Sequence, residues 1–209
     1  YIGEIQDWEK AEEDLFDIVE NSKIKFEKGE GEAAFYGPKL DFMIKDSMER
    51  IWQLGTIQLD YQLPKRFELS YINDENKKET PVIIHRAPIG SFERLTSILL
   101  EHTEGNLPFW LSPVQITIIS ICDSVIDYAK KIFHLLIDND FYPEIDNRNE
   151  KLNKKIFDSD SKKVPFILII GEKEKDQNIV SVRKKGFKTN QSCSYEDLIN
   201  FFSKQKNFS

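Results

Sequence analysis

The sequence predicts two units in succession. The first half combines helices with short strands of period two, and the second half is an α/β domain of ordinary size with a largely parallel sheet. Three observations carry this reading. Apolar and polar residues alternate at Leu40–Ile44 and again from Ile57 to Leu63, the period of a strand with one buried face. After Val114 strand-type and helix-type segments follow one another in turn. Between them lies Leu107-Pro108-Phe109-Trp110-Leu111-Ser112-Pro113, a Pro-bounded aromatic hinge that divides the chain into domains 1–109 and 110–209.

Taken in order, residues 7–20 set Trp8, Ala11, Leu15, Ile18 and Val19 on one helical face. Ile24 and Phe26, then Ala34 and Tyr36, read as strand residues joined by the turn at Gly29-Glu30-Gly31. Leu40–Ile44 alternates again. The longest strand runs from Ile51 to Leu63, with Ile57, Leu59, Tyr61 and Leu63 on one face and Gln58, Asp60 and Gln62 on the other. Trp52 and Leu54 fall on the otherwise polar face, which calls for a bulge at Gly55. That polar face carries amides rather than Lys and Glu, which suits a ligand floor as well as a solvated surface. In the second half, strands are expected at Val114–Ile121, Phe141–Ile145, Val164–Ile170 and Ile179–Arg183. Helices are expected at Ser124–Ile137, at 149–157 and after Ser194, where Asp197 completes a capping-box-like start.

Composition narrows the function. The chain of 209 residues carries a net charge of −7. Residues 1–110 hold 22 Asp+Glu against 13 Lys+Arg, whereas residues 111–209 hold 14 against 16. An acidic first half excludes a sequence-blind nucleic-acid binder, whose affinity would rest on many phosphate contacts, but leaves the second half able to meet a structured RNA through local patches. Cys122 and Cys193 stand far apart in no metal-ligand spacing, so a reducing, cytoplasmic compartment is expected. No apolar run is long enough for a membrane span. The chain begins at Tyr1 without an initiator methionine, from which we expect a fragment of a longer protein.

The stretch Pro81 to Arg94 organises the first half. Val82, Ile83 and Ile84 read as a buried strand, and Ser91 can cap a helix with the stripe Leu95, Ile98 and Leu99. His85 then lies at the end of a strand, and Arg86, Glu93 and Arg94 gather at one strand-to-helix junction, an arrangement for holding phosphate oxygens. On these residues alone an ordinary strand–turn–helix, with a satisfied histidine and surface arginines, is the commoner outcome.

Several blocks in register change that balance. Ala34-Phe35-Tyr36-Gly37-Pro38-Lys39, Trp52-Gln53-Leu54-Gly55-Thr56-Ile57-Gln58-Leu59-Asp60, Ile84-His85-Arg86-Ala87 and Gly90-Ser91-Phe92-Glu93-Arg94 resemble the threonyl-tRNA synthetases. Trp110–Gln115 and Asn147–Lys151 extend the likeness over the second half. It implies an α+β class II synthetase catalytic domain part, an antiparallel sheet with helices, followed by an α/β anticodon-binding domain. It also implies a ligase that activates threonine with ATP and transfers it to tRNA(Thr), working as a homodimer with Mg2+ and Zn2+ and away from membranes.

Residue by residue, the resemblance gives Arg94 the ATP-phosphate role and makes Gln53 an ATP contact. Tyr36, Lys39, Gln58 and Ser91 become the threonine pocket, and His85 one of three zinc ligands, the other two lying upstream. Asn149, Glu174 and Arg183 become the readers of anticodon bases, for which amide, carboxylate and guanidinium edges are apt. Departures are equally specific. The first class II motif, most of the second and the two other zinc ligands have no counterpart here, so the chain alone is expected to be inactive. Ala33 stands where glycine is common, Pro88 interrupts an apolar pair, and Phe157 and Lys163 stand in place of arginines.

Overall fold

In the computed structural model, which describes residues 1–187 and 189–206, the chain separates into two compact units, 1–102 and 103–209. The first begins with α1 (Ile5–Ser22), which ends where Lys23 turns left-handed at φ 58°. Strands β1 (Lys39–Lys45) and β2 (Ile51–Asp60) follow, then the single turn α2 (Leu63–Arg66) and a small ladder of β3 (Tyr71–Ile72) with β4 (Lys78–Glu79). Strand β5 (Ile83–Ala87) and helix α3 (Phe92–His102) complete the unit.

β1, β2 and β5 form an antiparallel sheet in that order. Ala11 and Leu15 of α1 are buried against Leu59, with Leu40, Ile57 and Tyr61 beside them. Each fully buried leucine contributes about 1.5–3 kcal/mol of hydrophobic free energy. One face of the sheet is therefore spent on α1. The other carries Thr56, Gln58 and Asp60 of β2, and the candidate site lies there.

Four expectations are corrected in this unit. The segment 24–36 holds no strand; only an isolated bridge joins Ala34 to Gly37, and Phe26 sets its ring edge-on to Phe16 of α1. β2 stops at Asp60, because the Asp60 carboxylate accepts the Gln62 and Leu63 N–H groups and starts α2. The stretch Val82–Ile84 is not buried: Ile84 is 64% exposed and Val82 43%, since β5 has a strand partner on one side only among the described residues. The bulge is present one residue early. Phe42 pairs with Gly55 and Met43 with Gln53, leaving Leu54 as the extra residue.

The second unit contains β6 (Ile116–Ser120), α4 (Ile126–Ile137), β7 (Pro143–Asp146), α5 (Leu152–Ser161), β8 (Phe166–Ile170) and α6 (Glu172–Asp176). It closes with β9 (Ile179–Lys184), β10 (Gln191–Ser194) and α7 (Leu198–Lys206). The sheet order is β10-β9-β8-β6-β7. β6 is parallel to β7 and β8, but β9 runs antiparallel to both β8 and β10, so the sheet is mixed rather than largely parallel. The reason is connection length: α6 is a five-residue helix, too short for a crossover back to the same edge direction.

β6 and β8 are buried on both faces, which accounts for their unbroken apolar runs. Ile116, Ile118, Leu168 and Ile170 pack with Ala129, Ile132, Leu198 and Phe202. Ile119, Ile167 and Ile169 pack with Leu152 and Ile156 of α5. An aromatic cluster closes the first of these layers, with Phe109 stacked on Phe202 at 5.7 Å and Phe166 edge-on to Phe202 at 5.3 Å. The capped start after Ser194 is present: its Oγ accepts the Asp197 N–H at 3.1 Å. The short helix expected at 149–157 instead spans Leu152–Ser161.

Candidate functional site

Register alone gathers one set of side chains. Lys39, Gln58 and His85 are successive partners across β1, β2 and β5, so they share one row and one face, the face turned away from α1. Tyr36, just before β1, brings its ring to 5.6 Å from that of His85. Gln58 is buried and donates from Nε2 to the Gly37 carbonyl at 3.0 Å. Position 37 itself demands glycine: a Cβ at Gly37 would stand 2.0 Å from the Leu59 carbonyl oxygen. Arg86 pairs with Ile57 and so faces the opposite side from His85, which corrects the expected junction of Arg86 with Arg94.

A second set depends on the bulge. In unbroken alternation Gln53 would face α1 with Ile57 and Leu59. The extra residue Leu54 turns it over, so that Gln53 Nε2 reaches Asp41 Oδ1 at 2.7 Å and Thr56 Oγ1 at 3.0 Å. Thr56 Oγ1 donates to the same Asp41 oxygen at 2.8 Å, and Lys39 pairs with the other. Asp41 thus joins the Lys39–Gln58–His85 row to Gln53.

The bulge also docks α3. Gly90 has φ +64°, and a Cβ there would lie 2.4 Å from the Leu54 carbonyl oxygen, so only glycine lets the helix start press on the bulge. Ser91 Oγ then accepts the Arg94 N–H at 3.2 Å, as expected of the cap. The Arg94 guanidinium donates from Nη1 to the Gln53 carbonyl at 2.7 Å and lies 6.0 Å from the Trp52 ring. It is held on one edge and exposed on the rest, the posture of a fork awaiting an anion.

Trp52 is fixed by a turn that the sequence reading passed over. Its Nε1 donates to Asp46 Oδ2 at 2.8 Å, and Arg50 Nε donates to the same oxygen at 2.5 Å. The N–H groups of Met48 and Arg50 both donate to Asp46 Oδ1 at 2.9 Å. Burial by itself would raise the Asp46 pKa, but the bonds from Trp52 and Arg50 and those two N–H groups outweigh it and hold it at about 2. A carboxylate depressed from 3.8 to about 2 stabilises the fold above pH 4, and that contribution disappears as pH falls towards 2. Between those limits the wild-type chain is expected to lose more stability than Asp46→Asn, measured as the shift in urea midpoint; parallel curves would refute the assignment.

Asp60 is the other residue overlooked as a functional group. Its carboxylate is fully buried, and Oδ1 accepts the Gln62 and Leu63 N–H groups. Oδ2 has no hydrogen-bond partner among the described residues and lies 3.7 Å from His85 Nε2. An uncompensated buried carboxylate oxygen is costly, and the imidazole is the donor nearest to hand. Among the described residues no three His, Cys, Asp or Glu side chains gather closely enough to hold a metal ion. His85 is therefore one potential donor, backed by a carboxylate, and not a complete site. Asp41 and Asp60 both show in the sequence only as acids on the polar parity of their strands.

In the second unit the three expected base readers are not brought into contact with one another. Asn149 is exposed in the loop after β7, and Glu174 sits in α6 just past the end of β8. Glu174 Oε2 accepts the Gly171 N–H at 3.0 Å, closing the start of α6. Arg183 pairs with Ile167 in mid-sheet, three residues back from that end, and reaches Asp160 Oδ2 of α5 at 3.9 Å. Its Nε and Asp160 Oδ1 are buried without hydrogen-bond partners among the described residues.

The loop carrying Asn149 is held by Arg148, which forks onto Asp146 at 2.9 and 2.7 Å and reaches Asp158 at 2.9 Å. The Arg148 bonds draw the Asp146 pKa down, and Lys154 followed by Arg148 does the same for Asp158. Lys155, buried nearby, donates to the Ser120 carbonyl at 2.8 Å and the Asp146 carbonyl at 3.3 Å, tying the ends of β6 and β7 together.

Comparison with known proteins finds a match for each half of the chain. Residues 2–103 match the model of the tRNA synthetase class II core domain (G, H, P, S and T), and residues 114–205 match that of the anticodon binding domain. The chain is similar to the threonine–tRNA ligase of Cytophaga hutchinsonii, 49% identical over 98% of this chain and 32% of that protein. It is also similar to that of Flavobacterium johnsoniae, 50% identical over 89% of this chain and 29% of that protein. It therefore spans about a third of the length of these relatives. The crystal structure of the RNA binding domain of threonyl-tRNA synthetase from Cryptosporidium parvum superposes over all of this chain and 53% of that one, with TM-score 0.93 and 39% identity. With both halves matched in order, and identity near one half along almost its whole length, the chain belongs to the threonyl-tRNA synthetase family of class II aminoacyl-tRNA synthetases.

Proposed function

We propose that this chain is part of a threonine–tRNA ligase that condenses threonine with ATP to threonyl-adenylate, releasing pyrophosphate, and then passes the threonyl group to the terminal ribose of tRNA(Thr), releasing AMP. Residues 1–109 belong to the catalytic domain and 110–209 to the anticodon-binding domain. The observation that supports this most is the shared polar face on which Lys39, Gln58 and His85 form one row and Asp41 connects them to Gln53 and Arg94.

In this reading Arg94 grips ATP phosphate oxygens and offsets the charge that develops as the threonine carboxylate attacks the α-phosphate. Gln53 orients the nucleotide beside it, with Mg2+ accompanying the triphosphate. Tyr36, Lys39, Gln58 and Ser91 shape the threonine pocket. His85 fits a Zn2+ ion as one ligand, since its imidazole is partly exposed and Asp60 stands behind Nε2. Zn2+ held there supplies a Lewis acid for the amino and hydroxyl groups of threonine, and valine, lacking the hydroxyl, leaves that position unfilled. Asn149, Glu174 and Arg183 read anticodon bases. The working form is a cytoplasmic homodimer. No helix among the described residues is long and apolar enough to cross a membrane.

Threonine-dependent ATP–pyrophosphate exchange tests this directly, run on the 209-residue chain beside a version extended to the length of its relatives. Exchange by the extended protein and none by the chain is the expected result. No exchange by a folded, zinc-loaded extended protein would favour a catalytically idle relative that binds tRNA.

A further inference from the structure

A groove of about 560 Å³ in the second unit belongs to neither set of site residues. It runs between the segment from Asn106 to Trp110, the start of β8 and the end of β9, and Lys163, Lys184 and Lys185 line it. Lys185 Nζ is held by Asn106 Oδ1, and Lys184 Nζ lies 5.8 Å from the Phe187 ring. Among the described residues none of the three ammonium groups has a carboxylate within ion-pair distance, and Asp160 acts on Lys185 only through its charge. Burial and then the charge of Lys163 pull the Lys185 pKa below the usual lysine value, and Asp160 offsets this only in part. Three cations crowded into a half-enclosed groove, in a chain whose net charge is −7, are a local feature rather than a by-product of composition.

We propose that this groove holds the sugar-phosphate backbone of the bound tRNA, as a contact separate from the base readers Asn149, Glu174 and Arg183. The proposal rests on the tRNA-ligase reading above. Ammonium groups suit the task because they are point charges that position a phosphate without reading sequence. The backbone source is RNA rather than an acidic peptide, because the surrounding residues 114–205 match the anticodon binding domain.

The test uses the 209-residue chain, a tRNA(Thr) transcript, and the same transcript with altered anticodon bases. Binding is measured from about 50 to about 200 mM salt, where phosphate contacts dominate the salt dependence. The triple variant Lys163→Gln, Lys184→Gln, Lys185→Gln should flatten the log–log salt slope by about two to three and weaken binding at least about tenfold. The preference for the native over the altered anticodon should stay unchanged. Lys184→Gln alone, at an exposed position, should flatten the slope by about one and guards against a folding defect in the triple variant. Arg183→Gln should do the reverse, eroding anticodon preference more than slope.

A triple variant with the wild-type slope and affinity would overturn the groove while leaving the tRNA reading intact. Loss of anticodon preference in the triple variant would overturn it as a separate contact. If the wild-type chain does not bind the transcript at all, the tRNA reading fails and the groove proposal with it.

Discussion

In a protein of the relatives' length, Arg94→Ala lowers threonine-dependent ATP–pyrophosphate exchange by about two to three orders of magnitude, the range expected when a preorganised donor to transition-state charge is removed. The fold should be indifferent to the change. Arg94 is exposed, its side chain donates to the Gln53 carbonyl, and the Ser91 cap is made by its backbone N–H and not by its guanidinium. Thermal melts of wild type and variant should therefore coincide. Arg94→Lys keeps the charge but loses the planar fork, so it should recover little of the activity. A near-normal exchange rate for Arg94→Ala would remove this residue from the chemistry.

His85→Ala, in the same extended protein, is expected to abolish bound zinc and threonine activation together. The two losses are linked because one imidazole would serve both. The structure adds a graded companion. Asp60 Oδ2 is buried, without a hydrogen-bond partner among the described residues, and lies 3.7 Å from His85 Nε2, within reach to back the imidazole as a supporting carboxylate. Asp60→Asn should weaken zinc retention by about ten- to a hundredfold, as the loss of such a supporting carboxylate does. Metal analysis after dialysis against a mild chelator reads this without reference to activity. Full zinc content with normal activation in His85→Ala would sink the metal assignment.

Much of this site was legible from residue order because strand parity is a strong constraint. Gln58 and Asp60 alternate with Ile57 and Leu59, and helix α1 takes the apolar parity. Parity alone could not place Gln53, whose face depends on a bulge; Trp52 and Leu54 on the wrong parity announce it at Gly55, and the extra residue is Leu54. Nor could parity place β5 correctly. Val82-Ile83-Ile84 is as apolar as Phe166–Ile170, but burial depends on neighbours, and β5 has β2 alone among the described residues.

In the second unit β10 went unnoticed because three of its four residues are polar and only Cys193 is buried. The direction of β9 turned on α6, a helix too short to leave a periodic signal. Ile24 and Phe26 show the opposite failure. Their spacing is that of a strand, but no partner strand exists for them among the described residues, and Phe26 rests on Phe16 instead.

The bulge at Leu54 makes the length of β2 itself a functional quantity. Removing that single residue, even while leaving every other side chain in place, would restore simple alternation along the strand. Gln53 would then roll under α1, Trp52 would come up onto the polar face, and the carbonyl that Gly90 rests on would be gone. This stretch can therefore absorb many changes of letter but not a change of count. In a library of homologous or engineered chains, a one-residue gap between Ile51 and Gly55 would mark a protein that had kept the sheet and lost the link from Gln53 to Asp41 across it.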